Sequence, residues 1–201
     1  MITVTKRVHD HQSLKVLMEI YTDPRKFSPL EIVNQLRRTL LSDIPTVAID
    51  TVIFYINETY LANELLQHRL QMIPVFTEDP KITLTIDVMC DPNEFDVCPV
   101  MSDYIIPNAK GIKIMGDIII THLAPGKSLK CEILLRKSTG KEDIRFSPVS
   151  IVYFNDLSPQ KYEFTMETVE GHDPEKIFKE GMRILMEKPR YREIKYVLKN
   201  F

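Results

Sequence analysis

The pattern of apolar and polar positions predicts a chain that is helical near both ends and rich in strands between them. Apolar residues alternate with polar ones at residues 2–4 and 14–20, which is the period of a half-buried strand. From Val33 through Leu36 to Leu40 they recur every three or four residues, which predicts the apolar face of a helix. The same two periods predict a short helix at 61–70 and further strands at 47–56, 82–88, 112–120, 129–135, 149–154 and 162–166.

Both long helices have well-marked starts. Ser28 can cap the first helix, with Pro29 at the first helical position and Glu31 placed to close a capping box. Asp173 and Pro174 occupy the corresponding positions before a second long helix that extends to residue 188. The chain therefore has two capped amphipathic helices, one near each end.

Two features of the C-terminal part extend this picture. Gly181 costs about 1 kcal/mol relative to alanine inside a helix, so its presence predicts the close approach of another helix. After that helix, Ile194, Val197, Leu198 and Phe201 are spaced for a further helical turn or two. We therefore expect the basic tail to be helical.

The composition is that of an ordinary globular protein, with 44% hydrophobic and 27% charged residues among 201. A chain of this length buries about 70% of the surface that its unfolded form exposes, so it needs no disulfide or metal to build a core. The three cysteines are an odd and sparse set, which favours a reducing compartment inside the cell. No apolar run approaches the roughly 20 residues of a membrane-spanning helix, so we expect no membrane partner.

The charge balance bears on nucleic-acid binding. Lys and Arg number 26 and Asp and Glu number 28, which gives a formal net charge of −2. A chain without a global positive field is not drawn onto DNA or RNA by its phosphates. Any contact with DNA is therefore expected to be local or indirect.

The search for catalytic or metal-binding chemistry returns little. His9 and His11 form an H-x-H pair without a third ligand at a recognisable spacing, which favours solvated surface over a metal site. Cys90 and Cys98 lack the C-x-x-C spacing of a zinc knuckle, and Cys131 alternates with apolar neighbours as a small buried residue does. Two alternatives stay open: a small enzyme that uses His9, His11 or Cys131, and a non-catalytic adapter protein.

One segment carries more information than an amphipathic helix requires. Residues 34–50 place the adjacent arginines Arg37 and Arg38 beside the apolar face of the first helix. This string resembles the signature of the α-like subunits of DNA-directed RNA polymerase. That family includes the N-terminal region of the bacterial α subunit, its archaeal counterpart and the third-largest subunit of eukaryotic RNA polymerase II.

Further segments resemble the same family in collinear order. Residues 65–74 are similar to its second signature, a short helix with His68 and Arg69 that closes on Ile73 and Pro74. Other matching blocks cover its later strands, its Gly-Lys-Glu turn and its closing helix, at residues 123–129, 137–142, 146–149 and 162–188. The resemblance therefore extends over residues 28–188.

The resemblance implies an α+β fold with two domains. A dimerisation domain, a sheet with two long helices, would comprise residues 1–48 and 157–201, and a mostly-β domain of residues 49–156 would be inserted in it. Many relatives carry a four-cysteine zinc loop or an iron–sulfur insertion in the middle domain, whereas this chain has only Cys90 and Cys98 there. We therefore expect no metal or cofactor on this chain, and the magnesium of the reaction belongs to the catalytic subunits.

The resemblance also implies a structural role without catalytic residues. The chain would pair with a smaller α-like subunit and form the platform that docks the second-largest subunit, with the largest subunit as a further candidate partner. Such a subunit works where transcription takes place, in the nucleus or in the cytoplasm or virion according to its source. For docking of the second-largest subunit, the implied residues are Arg37, Arg38, His68, Arg69, Lys141 and Glu142. For dimerisation, the candidate residues are Val33, Leu36, Leu40, Phe178, Met182 and Leu185. His68 could equally be a packing residue, and some of the six apolar residues must face their own sheet.

Overall fold

The computed structural model describes residues 1–23, 25–93, 97–169 and 171–201, without the side chains of residues 7–9. The chain forms two compact units. Unit 1 comprises Met1–Thr46 and Thr139–Phe201, and unit 2 comprises Val47–Ser138. Both chain ends therefore belong to the same unit.

Three helices and thirteen strands are present in the described residues. The helices are α1 (Pro29–Ser42), α2 (Asn63–Gln71) and α3 (Pro174–Glu187). The five strands of unit 1 are β1 (Ile2–His9), β2 (Ser13–Ile20), β11 (Val149–Ser158), β12 (Lys161–Thr168) and β13 (Tyr196–Lys199). Two long strands, β3 (Pro45–Asn57) and β10 (Ser128–Thr139), lie almost wholly in unit 2 and begin and end it. The remaining strands lie in unit 2: β4 (Val75–Phe76), β5 (Thr83–Met89), β6 (Cys98–Met101), β7 (Ile106–Pro107), β8 (Lys113–Ile114) and β9 (Ile119–Leu123).

Unit 1 is a five-stranded sheet with two helices on one face. Its strand order is β11-β12-β2-β1-β13, and all neighbours are antiparallel except β1 and β13, which are parallel. The alternating residues of β1, β2 and β12 that point to one face share a single core with the apolar stripes of α1 and α3. This arrangement confirms the predicted α+β class.

Close contact between the two long helices explains a glycine in α3. A Cβ atom at Gly181 would collide with the Leu40 side chain of α1, so α3 approaches α1 more closely there than alanine would allow. Three residues earlier, Phe178 packs edge-on against Phe164 of β12, with 6.0 Å between the ring centroids. The close helix approach predicted at Gly181 is therefore present.

The predicted starts of the long helices differ in their capping. At α3 the Asp173 carboxylate accepts a hydrogen bond from the Glu175 backbone N–H at 2.9 Å, as predicted. At α1 the Ser28 side chain makes no capping hydrogen bond, so the predicted capping box is wrong. The Glu31 carboxylate instead pairs with Arg190 at 2.9 Å and accepts the Tyr191 hydroxyl at 3.2 Å, because the C-terminal segment folds back over α1.

The tail after α3 is extended and not helical, which corrects the predicted helical turns. Residues 196–199 pair with residues 2–5 as a parallel edge strand. Tyr196 and Leu198 turn toward the core, and Val197 and Lys199 turn away from it. The tail alternates in this way because β1 offers free backbone groups, and a strand satisfies them where an isolated helical turn would not.

The second boundary between the units also differs from the prediction. The sequence predicts residues 139–156 in the inserted domain, but they belong to unit 1. The reason is that β11 forms an edge of the unit 1 sheet, and the segment before it is tied to the end of α1. In that segment the Phe146 carbonyl accepts a hydrogen bond at 2.6 Å from the hydroxyl of Thr46, which follows α1 in the chain.

Unit 2 is built from β-strands around the short helix α2. Its main sheet has the order β3-β10-β5-β7, and two small pairs join β4 to β8 and β6 to β9. The single strand predicted at 112–120 is two strands, β8 and β9. They are separated at Asp117, whose φ is 59° and whose backbone N–H donates to the Asp103 carboxylate at 3.0 Å. No helix in the described ranges is long and apolar enough to cross a membrane.

A lysine at the end of α3 holds the two long helices of unit 1 together. Lys188 Nζ donates to the Thr39 hydroxyl at 2.8 Å and to the Asp43 carboxylate at 2.6 Å, and both partners lie at the end of α1. We predict that Lys188→Ala lowers the free energy of unfolding by about 1 kcal/mol, because these half-exposed hydrogen bonds are lost. Urea denaturation of the full chain measures the change, and the exposed α3 residue Lys176→Ala, expected to have no effect, is the control.

Candidate partner-docking surfaces

The two adjacent arginines of α1 have different surroundings. Arg37 is half-buried, and its Nε and Nη2 each lie 3.2 Å from the Asn34 side-chain oxygen. Arg38 is exposed, and its guanidinium has neither a hydrogen bond nor an ion pair within the described residues. An unengaged guanidinium can bind a carboxylate through two parallel hydrogen bonds, so Arg38 is the better placed of the two to contact another protein.

The structure brings the Lys141 and Glu142 turn next to the end of α1. The Lys141 backbone N–H donates to the Ser42 carbonyl at 3.0 Å, one turn beyond Arg38, and both side chains of the turn are exposed. Gly140 makes this approach possible, because a Cβ atom there would collide with the Leu41 carbonyl oxygen. Arg38 and this turn therefore belong to the same end of unit 1.

The remaining predicted docking residues lie in unit 2, on α2. His68 and Arg69 are exposed and line an open groove of about 320 Å³ between α2 and β9, together with Met72 and Ile119. One guanidinium nitrogen of Arg69 donates to the Ile119 carbonyl at 3.1 Å and fixes the side chain along the groove. This surface combines a fixed cation with apolar walls.

All six residues predicted for dimerisation lie in the core of unit 1. Val33, Leu36 and Leu40 of α1 and Phe178, Met182 and Leu185 of α3 each have 0% of their surface exposed. A side chain without exposed surface has none to offer to a partner, so these residues face their own sheet and the predicted set is corrected. Helical periodicity predicts one broad apolar face and does not show which of its residues are fully buried. The apolar residues at the sides of that face, Leu41, Ile177 and Ile184, are only partly buried.

One apolar surface of unit 1 was missed by the sequence analysis. An open groove of about 480 Å³ lies beside the start of α1 and is lined by Leu30, Asn34 and Phe154 among others. On the opposite face of β11, Ile151 and Tyr153 are 49% and 45% exposed. Alternation predicted the strand, but only the pairing of the strands shows that β11 is an edge.

Among the side chains that the structure describes, those considered for catalysis or metal binding do not gather into a site of three. Burial raises the pKa of the Cys131 thiol to about 12, so it stays protonated and unreactive near neutral pH. The thiols of Cys90 and Cys98 are buried beside one another, and burial raises the pKa of Cys98. His11 is exposed, and the side chain of His9 lies outside the described residues. No group of three metal-binding side chains is present in the ranges described above, and the expected absence of a metal stays a prediction.

The sheet with two helices, the arginine pair and the collinear motifs all agree with one protein family. The family model of the RNA polymerase Rpb3/Rpb11 dimerisation domain matches residues 28–188 of this chain. The chain belongs to this family. The family resemblance inferred from the motifs is thereby confirmed, and its limits coincide with the collinear blocks at 28–188.

Members of the Rpb3/Rpb11 family from archaea and eukaryotes are similar to the chain. It is 28% identical to the DNA-directed RNA polymerase subunit Rpo3 of Methanocaldococcus jannaschii over 80% of this chain and 82% of that protein. It is 30% identical to RNA polymerase II subunit RPB3 of Schizosaccharomyces pombe over 62% of this chain and 52% of that protein. It is 27% identical to human RPAC1 of RNA polymerases I and III over 73% of this chain and 53% of that protein. The chain thus spans about half the length of these two eukaryotic relatives.

The assignment of Phe178 to the core can be tested without a partner. We predict that Phe178→Ala lowers the free energy of unfolding of the isolated chain by about 3–5 kcal/mol, because it leaves a cavity against Phe164. Urea denaturation measures this loss, and the exposed Leu30→Ala is expected to change the free energy by less than about 1 kcal/mol. An isolated chain that is unaffected by Phe178→Ala would return this residue to the dimer interface.

The Lys141 turn offers a second stability test. We predict that Gly140→Ala lowers the free energy of unfolding by about 1–3 kcal/mol, because the new methyl group displaces the Leu41 carbonyl. Thermal melting measures the change. The neighbouring exposed Lys141→Ala serves as the control and is expected to stay within about 0.5 kcal/mol.

Proposed function

We propose that this chain is a structural, non-catalytic subunit of a multisubunit DNA-directed RNA polymerase. In this role it pairs with a smaller α-like subunit, and the pair is the platform that docks the second-largest subunit. The observation that carries the proposal is the match of the Rpb3/Rpb11 dimerisation domain to residues 28–188, on a sheet with two helices formed from both chain ends. The printed names of the relatives, all polymerase subunits, support it.

The pairing with the smaller subunit is assigned to the outward sides of α1 and α3. The inner stripes of both helices are used by their own sheet, so a partner must bind the flanking positions. Leu41, Ile177 and Ile184 keep part of their apolar surface there. An obligate interface of about 2,000 Å² would cover them and exclude water.

Docking of the second-largest subunit is assigned to Arg38 and the adjacent turn. The free guanidinium supplies a bidentate site for a carboxylate, and the exposed side chains of Lys141 and Glu142 lie near it. His68 and Arg69 supply a second contact on unit 2. With a net charge of −2, the chain acts through protein contacts and reaches DNA only indirectly.

The chemistry of RNA synthesis stays with the catalytic subunits. The magnesium ions of that reaction would be bound there, and this chain would bind no cofactor. The largest subunit is a further partner of the assembled platform. The protein would act inside the cell at the site of transcription, and its source determines whether that is the nucleus, the cytoplasm or a virion.

Purification with its partners tests this function. The chain is co-expressed with the smaller α-like subunit and then with the second-largest subunit of the same source. We expect a one-to-one dimer, and we predict that Arg38→Ala leaves this dimer intact while it weakens capture of the second-largest subunit at least about tenfold, because a carboxylate of the partner is left unpaired. Affinity capture at fixed salt measures both steps.

The neighbouring arginine is the matched control. Arg37→Ala is expected to reduce capture less than Arg38→Ala, since the Arg37 guanidinium is already engaged by Asn34. Loss of the dimer itself in Arg38→Ala would place this arginine at the other interface. A chain that stays monomeric beside the smaller subunit and all other polymerase subunits would contradict the proposed function and favour an adapter outside transcription.

A further inference from the structure

Strand β11 leaves one long edge of the unit 1 sheet open. It has 10 residues and, among the described strands, pairs with β12 on one side only. The regular part of this pairing, between the two register shifts, covers residues 151–156. An unpaired edge of this length presents a row of backbone donors and acceptors that another strand can complete.

The hydrogen-bond phase of the sheet shows which backbone groups face outward. The Ile20 N–H donates to the carbonyl of Gln160, the residue directly opposite it. Because hydrogen-bonded pairs recur at every second residue of an antiparallel pair, the N–H and C=O groups of the even-numbered residues of β12 point to β2. The backbone groups of the odd-numbered residues of β12 therefore point the other way and form hydrogen bonds with residues 151, 153 and 155 of β11. The N–H and C=O groups of Val152, Phe154 and Asp156 consequently point to the free edge.

The two edges of the sheet are protected differently. The opposite edge strand, β13, has four residues and is bounded by Lys195 and Lys199. No lysine, arginine or proline occurs within β11. Lysines and prolines are frequent guards against strand addition, and the single charged residue of β11, Asp156, lies near its end, so β11 is the edge that is open to a partner strand.

Apolar surface lies on both faces of the free edge. On the side of the helices, Leu30 and the half-buried Phe154 line the groove of about 480 Å³. On the other face, Ile151 and Tyr153 are exposed. The side chains of an added strand alternate between the two faces, so one set would enter the groove and the other would cover these two residues.

The proposed docking residue Arg38 lies on the same stripe of α1 as two residues that line the groove. Leu30, Asn34 and Arg38 are spaced four residues apart and form one exposed stripe of α1. The first two line the groove, and Arg38 follows one helical turn further along α1. A segment that occupied the edge would therefore meet a site for a carboxylate.

We propose that an extended segment of the second-largest polymerase subunit adds to β11 as a sixth strand of the unit 1 sheet. Its alternate residues are apolar, and it carries an acidic residue that pairs with Arg38. This proposal rests on the proposed function, because it specifies how one of the proposed partners binds. The backbone supplies affinity along the edge, and the groove and the arginine supply specificity.

Residue-resolved amide hydrogen exchange tests the strand addition. The probe is the dimer with the smaller α-like subunit, measured before and after the second-largest subunit is bound. We expect exchange at Val152, Phe154 and Asp156 to slow at least about tenfold on binding, because their amides gain hydrogen bonds. The amides of Tyr153 and Asn155, already bonded to β12, are expected to change little.

A pair of matched substitutions tests the groove. Leu30→Glu places a charge where an apolar side chain of the added strand would be buried, and it is expected to weaken capture at least about tenfold. Val197→Glu makes the same change on the opposite edge, at a residue of similar exposure, and is expected to have no effect. Both positions are exposed, and unchanged thermal melting confirms that the variants fold.

The outcomes separate this proposal from the proposed function. A complex that forms without slower exchange at 152, 154 and 156 overturns the strand addition and leaves the function standing. Slower exchange already in the dimer with the smaller α-like partner, or in a dimer of the chain alone, gives the edge to a different occupant and overturns the proposal. Failure of every polymerase subunit to bind removes the proposed function itself.

Discussion

Burial of the apolar stripes of α1 and α3 against one face of a five-stranded sheet is the constraint on which unit 1 depends. The sheet takes strands from both chain ends, so the helices can be covered only when β1 and β2 meet β12 and β13. Each helix buries its stripe mainly in its own unit, with Gly181 against Leu40 at the point of closest approach. The free energy of this burial is what brings the distant ends of the chain together.

The same burial decides which surfaces are left for partners. Because most strongly apolar residues of both helices are buried inside, the outward sides of α1 and α3 offer half-buried apolar flanks, polar and charged residues, and the exposed Leu30 near the start of α1. Further exposed apolar side chains, Ile151, Tyr153 and Leu157, lie along the edge strand β11. An assembly subunit thus keeps a stable core of its own and still presents surfaces that bind other subunits, which suits a protein built before its complex is complete.

Adjacent residues of α1 show how tertiary surroundings divide similar side chains. Arg37 and Arg38 are alike in sequence, yet one guanidinium is held by Asn34 and the other is unengaged in the described part of the chain. The helix rotates by about 100° per residue, so neighbours point in different directions. In the same way, the local pattern predicts that Glu31 caps α1, but Glu31 contacts the returning C-terminal segment, a partner 160 residues away along the chain.

The sequence by itself determined the long helices, most of the strands, the cap at Asp173, the close approach at Gly181 and the family, because periodicity, caps and motifs are local properties of the chain. Only the tertiary structure decided that the tail is a strand, that residues 139–156 belong to unit 1, that the six apolar residues are core, and that β11 is a free edge. These four outcomes depend on which strands pair and which face a helix turns inward. Contacts between residues far apart in the chain decide both, and the local pattern of apolar and polar residues is the same whichever strands pair and whichever residues of a helix are buried.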